Sequence, residues 1–241
     1  MITANLYSLK RGVTEVSVPN YYSENCENVV IEVDSRLSPA QNAQKFYKKY
    51  NKCKNAKRYL TEQIEIAKGE LVYLETVTES FNRAETENDL AEIRHELSQS
   101  GYASRLNNFK TSKNTSVKPL EFRTDSGYRV LCGKNNIQND FITFKVASKL
   151  DLWFHVKGAP GSHVVLICNG DEPSEKDYTE AATIAATYSS IEGGQIAVDY
   201  TRVKNVKKPP SAKPGYVTYS TNYTAYVSSD EKLCNSLKTK K

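Results

Sequence analysis

One run of residues constrains this chain more than any other. From Ala43 through Phe46, Tyr50, Cys53, Lys57, Leu60, Ile64, Ala67, Leu71, Leu74 and Thr78 to Phe81 the spacing alternates three and four without a break, and only Lys57 and Thr78 are polar. That alternation puts every member on one stripe of an α-helix, the seam of a coiled coil. Ser38-Pro39 opens it, with Ser at the cap and Pro in the first turn. At 1.5 Å per residue a helix of about 45 residues is a rod roughly 65 Å long.

A second helix begins at Thr86-Glu-Asn-Asp89, a capping box with Asp in place of Glu. Leu90, Ile93 and Leu97 form its apolar stripe, and Gly101 stands where a helix C-terminal glycine belongs. This helix is too short to cover the whole seam. The remainder must pack on the N-terminal strands, on a partner or on a second copy, so Leu60, Ile64 and Leu71 are candidate partner-binding residues. An antiparallel hairpin with a scaffold role is the plainer reading. Upstream, the first ten residues read as a short helix with Leu6 and Leu9 on one face, followed by strands over 13–18 and 29–33.

Residues 104–119 are polar and aperiodic, a linker between a first domain over 1–110 and a second over 111–241. The second domain reads as strands over 121–124, 128–132, 152–157, 164–168, 196–203, 216–219 and 225–227. Helices are expected over 136–148 and 173–190. The fold class is α+β: a long helical hairpin, then a mixed β-sheet with helices on one face.

Charge divides along the same boundary. Residues 1–110 hold 15 Lys+Arg against 15 Asp+Glu, and 111–241 hold 18 against 13, which accounts for the net charge of +5. Only the second domain has the charge to face a polyanion, although a solubility bias would look the same. Cys26, Cys53, Cys132, Cys168 and Cys234 are odd in number and far apart, with no CxxC. They suggest neither a disulfide framework nor a zinc site, and reduced thiols of a cytoplasmic protein are the simple reading. No run approaches the 18 apolar residues of a spanning helix, and the N-terminus carries no secretory pattern.

Three segments carry candidate chemistry. In Asp151-Leu-Trp-Phe-His-Val-Lys157, strand alternation sends Leu152, Phe154 and Val156 to the core. Asp151, Trp153, His155 and Lys157 then share the opposite face, where stacking and phosphate contact would suit RNA unless a loop covers them. Gly158-Ala-Pro-Gly161-Ser-His163 makes a sharp turn whose amides suit an anion, with His163 as a contact or a satisfied turn histidine. From Tyr200 through Arg202 and Lys204 to Lys207, Lys208 and Lys213, cations alternate with an aromatic on a proline-stiffened loop, which suits a nucleic-acid backbone or is a solvated basic loop. Lys134, Asn135 and Asn136 lead from Gly133 into a helix N-terminus, a place for phosphate, without the Walker pattern. No nucleophile–base pair, metal cluster or cofactor motif stands out, so the residues imply neither an enzyme nor a cofactor.

Together these motifs resemble one family. Gly133-Lys-Asn-Asn-Ile-Gln-Asn-Asp140, Asp151-Leu-Trp-Phe-His155, Pro160-Gly-Ser-His-Val-Val165, Glu180-Ala-Ala182, Val198-Asp-Tyr-Thr201, Asn205-Val-Lys-Lys-Pro209 and Ala212-Lys-Pro-Gly215 look like the NFACT-R RNA-binding domain. Leu37-Ser-Pro39, Asn42-Ala-Gln44, Lys48-Lys-Tyr-Asn51, Glu92-Ile-Arg94 and Glu96-Leu97 look like the coiled-coil middle region of the same proteins. The resemblance implies binding to large ribosomal subunits carrying peptidyl-tRNA, with tRNA and rRNA as partners, and recruitment of alanyl-tRNA for a C-terminal alanine tail. Peptide transfer in such proteins uses the ribosome's own centre. Family members begin with a glycosylase-like lobe and a helix-hairpin-helix region, and neither is visible, so a fragment of a longer protein is expected. The competing readings are a fibronectin-binding surface adhesin and a coiled-coil scaffold that recruits a protein or self-associates.

Overall fold

The computed structural model describes residues 1–102 and 118–239. The expected linker lies almost wholly outside the described residues. The chain divides into two compact units, Met1–Lys68 and Gly69–Lys241.

In the first unit a 3-10 turn, Thr3–Ser8, precedes the antiparallel hairpin of β1 (Glu15–Pro19) and β2 (Asn28–Glu32). Ile2, Leu9 and Val18 are buried there. Helix α1 (Pro39–Asn82) begins in this unit and ends in the second. Ser38 caps its start as expected, and Gln41 makes the cap reciprocal. The Gln41 amide N–H donates to Ser38 Oγ at 3.3 Å, and the Ser38 N–H donates to Gln41 Oε1 at 2.8 Å. Buried Asn42 fixes the preceding turn, accepting from the Asp34 N–H at 2.9 Å and donating to its carbonyl at 3.0 Å.

In the second unit the end of α1 packs on α2 (Glu87–Gln99), which has the capping box read from Thr86 and Asp89. The contact uses Tyr73, Val77 and Ile93, with Ala84 and Leu97 alongside. From Tyr50 on the heptad positions are exposed, among them Leu60 57%, Ile64 53%, Leu71 59% and Phe81 59%, while Ala43 and Phe46 are half-buried. The seam is therefore correct as a periodicity but is not the surface α2 uses. Leu90 is exposed too, while Asp89, Glu92 and Glu96 are buried beside Ile93. This helix turns its acidic residues inward.

The remaining elements are β3 (Leu120–Arg123), β4 (Arg129–Cys132), α3 (Asn136–Phe141) with a π turn Ile142–Val146, β5 (Leu152–Val156), β6 (Val164–Ile167), α4 (Glu175–Thr187), β7 (Ile196–Arg202), β8 (Val206–Lys207), β9 (Thr218–Tyr219), β10 (Tyr223–Val227) and α5 (Glu231–Leu237). Six strands form one sheet in the order β10-β7-β5-β6-β4-β3. The α+β class stands, with one correction: every ladder is antiparallel rather than mixed.

A second correction concerns layering. On one face Phe154, Val156, Val198 and Leu166 meet α4 and α5 through Ala181, Ala182, Ala185, Cys234 and Leu237. The small residues of α4 let it lie close to the strands, as its sequence suggests. The other face is covered as well. Leu131, Trp153 and Val165 meet Ile142, Val203 and Val206, so α3, its π turn and the β8–β9 hairpin form a third layer.

Candidate nucleic-acid interface

Strand β5 alternates as expected, but its second face is not open. Trp153 is 0% exposed. Its ring stacks on His155 (centroids 5.7 Å, interplanar angle 8°), meets His163 edge-on at 5.2 Å and leans on Tyr219 at 4.9 Å. The imidazoles meet edge to face at 5.5 Å, and His163 Nδ1 shares a 2.9 Å hydrogen bond with Thr143 Oγ1. Burial lowers the pKa of His155. Burial first, and His155 second, hold His163 well below the usual histidine range. Both rings are therefore neutral near pH 7 and offer an RNA no charge. Asp151, also buried, accepts from the backbone N–H groups of Ser148 (2.7 Å), Cys168 (3.0 Å) and Asn169 (2.9 Å). Three amides on one carboxylate make it the anchor of a turn. Trp153, His163 and Asp151 thus belong to the core rather than to an RNA surface, because the third layer covers them. Of this row Lys157 is exposed, 3.7 Å from buried Asp199, and His155 is half-buried.

Tyr200 and Arg202 project from the other side of the sheet. Tyr200 lies between Phe154 (5.5 Å), Tyr178 (5.3 Å) and Tyr223 (5.6 Å). Arg202 is held by Glu172 and the Leu150 carbonyl, both at 2.6 Å. Lys204 does not share their face, because β7 ends at Arg202 and a 3-10 turn, Val203–Asn205, redirects the chain.

The Gly133–Asn136 turn is the landing site of α2's acidic face. Lys134 pairs with Asp89. Asn135 Nδ2 and Gln138 Nε2 donate to Glu92 Oε2 at 2.7 and 2.6 Å, and Asn136 Nδ2 donates to Glu96 Oε1 at 2.8 Å. Burial alone would raise Asp89, but Lys134 and Thr86 outweigh it and hold its pKa below the usual value. Burial does raise Glu96, only partly offset by Asn136 and Tyr73. The phosphate-binding reading of Lys134, Asn135 and Asn136 gives way to an internal one, since their donors already have carboxylates.

The proline-stiffened loop is clamped at both ends. Asp140 pairs with Lys208 and accepts from the Gly215 N–H at 3.2 Å. Gly215 has φ +78°, and a Cβ there would collide with Asn136. Lys213 Nζ donates to the Ser100 carbonyl at 3.2 Å and lies 4.7 Å from the Tyr102 ring centroid and 5.5 Å from that of Tyr73. Of the cations expected to touch RNA, Lys204 and Lys207 are exposed, and no side-chain partner engages them among the described residues. Of the residues that shape the loop, Asp140 closes the motif over 133–140 but is not among the expected site residues, and Tyr73 and Tyr102 lie outside every motif.

Two family models match: "NFACT N-terminal and middle domains" over residues 1–116, and "NFACT protein RNA binding domain" over 118–221. A solved structure, the C-terminal part of the fibronectin/fibrinogen-binding protein of Streptococcus suis, superposes with a TM-score of 0.77 at 41% identity. The alignment covers 84% of this chain and 81% of that one. The chain belongs to the NFACT family. Among curated relatives, the Rqc2 homolog RqcH of Bacillus subtilis strain 168 is 39% identical over 233 residues, 95% of this chain and 40% of that protein. The Rqc2 homolog RqcH of Streptococcus pneumoniae strain D39 is also 39% identical, over 99% of this chain and 42% of its own length. The NFACT chain described here thus spans about two fifths of those relatives. No helix among its described residues is long and apolar enough to cross a membrane.

Proposed function

We propose that this chain is the RNA-binding part of a ribosome-associated quality control factor. In this reading it engages large ribosomal subunits that carry peptidyl-tRNA, and it supports tRNA recruitment for C-terminal alanine tailing. One observation carries the reading. In a domain matched by an RNA-binding model, most cations have internal partners, yet Lys204 and Lys207 stand exposed on a rigidly braced turn. Exposed lysines on a fixed scaffold suit phosphate, which needs charge and position but no sequence reading. The names of the RqcH relatives support the ribosomal context.

The test is co-sedimentation with purified large ribosomal subunits, with and without peptidyl-tRNA, over a salt series. Salt-sensitive pelleting that peptidyl-tRNA strengthens is expected, and Lys204→Glu with Lys207→Glu should weaken it. A folded chain that fails to pellet even at low salt would refute the reading. The name of the solved relative favours a second reading, fibronectin binding. Saturable capture of the chain on immobilised fibronectin, unaffected by competing RNA, would support it. The exposed Leu60, Ile64 and Leu71 leave a scaffold role compatible with the first. Changing all three to Asp should then abolish partner binding or self-association.

A further inference from the structure

The lysines on the sheet domain of the second unit differ in whether another side chain engages them. Lys134, Lys157, Lys176 and Lys208 have carboxylate partners, and Lys213 sits against two tyrosines. Lys145 and Lys149, in and just after the π turn, are exposed and have no side-chain partner among the described residues, like Lys204 and Lys207. The fold joins the two segments that carry them, which lie more than fifty residues apart in the chain. The Lys204 N–H donates to the Lys149 carbonyl at 3.1 Å, and the Val203 N–H donates to the Asp151 carbonyl at 2.9 Å. Beneath them Phe144, Ala147, Val203 and Val206 pack into one cluster around Trp153, which joins the π turn to the β8 strand. Neither 141–150 nor 203–219 contains a single Asp or Glu.

Four ammonium groups without counter-charges on one layer make a local positive field far stronger than the net charge suggests. Lysine is a compact point charge, suited to phosphate and indifferent to base identity. Stacking platforms are scarce here. Trp153 is buried, Phe144 and Tyr219 are partly buried against it, and Tyr216, 54% exposed, is the only large ring open to solvent in these two segments. A surface rich in charge and poor in rings suits a duplex, with its paired backbones, better than splayed single-stranded bases.

We propose that Lys145 and Lys149 join Lys204 and Lys207 in one surface that binds the phosphate backbone of double-helical RNA. This rests on the RNA-binding reading above and names its substrate class. The experiment measures affinity of the full chain for a hairpin RNA of about 16 base pairs and for an unstructured strand of equal length, over a salt series. The wild-type chain should prefer the hairpin. Lys145→Glu with Lys149→Glu should weaken hairpin binding and flatten the salt slope by about 2. Lys232→Glu, an exposed lysine on α5 in the opposite layer, should leave both unchanged. If the chain binds RNA but the Lys145/Lys149 variant binds like wild type, or if the single strand binds as tightly as the hairpin, this proposal alone falls. If neither probe binds a folded chain, the RNA-binding reading falls and takes this proposal with it.

Discussion

The sharpest consequence of the acidic docking face concerns Glu92. Its side chain is 7% exposed in relative terms, and its Oε2 accepts amide donors from both Asn135 and Gln138, at 2.7 and 2.6 Å. Glu92→Ala removes this shared acceptor and leaves two buried amides without partners. A hydrogen bond to a charged group is worth about 1.5–3 kcal/mol, so the gross loss is about 3–6 kcal/mol. Water entering the vacated space offsets part of this, and a net loss of about 3 kcal/mol is expected. Trp153, the only tryptophan and fully buried, reports unfolding of the second unit by fluorescence. With a urea slope of about 2–3 kcal/mol/M, the midpoint should fall by about 1–1.5 M. Leu90→Ala, by contrast, should cost under about 1 kcal/mol, because that side chain is already 41% exposed. A double-mutant cycle with Gln138→Ala should show coupling of about 1 kcal/mol or more. A Glu92→Ala midpoint within about 0.3 M of wild type would refute the reasoning, as would a Leu90→Ala loss larger than that of Glu92→Ala.

Glu96 sets a pH dependence. Burial raises its folded pKa above the ordinary value of 4.5, so its share of stability grows as pH falls through the raised value and levels off below 4.5. Asp89 works oppositely: its lowered pKa contributes stability above 3.8 that is lost as pH falls further. Glu96→Gln should therefore erase the gain in the urea midpoint on mild acidification, and an unchanged pH profile would count against burial as the cause. Gly215→Ala places a Cβ against Asn136 at φ +78°, and should cost about 1–3 kcal/mol in the same assay. Lys213→Met removes the cation over Tyr102 and Tyr73, and should cost about 1 kcal/mol and weaken RNA binding through a loosened loop. Unchanged affinity would mean that the clamp at Asp140 suffices.

Much of the fold is legible in the residues. The helix α1, the cap at Ser38, the capping box at Thr86 and the core side of β5 follow from spacing and cap chemistry, which are local properties. Helix α5 is not foreseen, although Asp230 caps it, with its Oδ1 accepting from the Leu233 N–H at 2.9 Å, and Leu233, Cys234 and Leu237 supply a short apolar face. At seven residues it is too brief for periodicity to separate from a loop. The direction of α2 is lost for a different reason. An amphipathic helix is read by its apolar stripe, and here carboxylates are buried because Lys134, Asn135, Asn136 and Gln138 wait for them some forty residues later. Nothing local announces a partner at that separation.

The candidate site fails in the sequence at one step, the assumption that a strand face not used for the first core is open. Alternation decides which side of the sheet a residue takes but says nothing of what covers that side. The warning sits within the basic segment itself. Val203 and Val206 recur among Lys204, Lys207 and Lys208, and Val217 and Tyr219 follow across the hairpin. These apolar residues need a surface, and they are packed on the cluster that contains Trp153. The ring and the lysines therefore serve one layer from opposite sides. Trp153 anchors the basic hairpin from beneath, and the charges above it, rather than the ring, are what the surface presents.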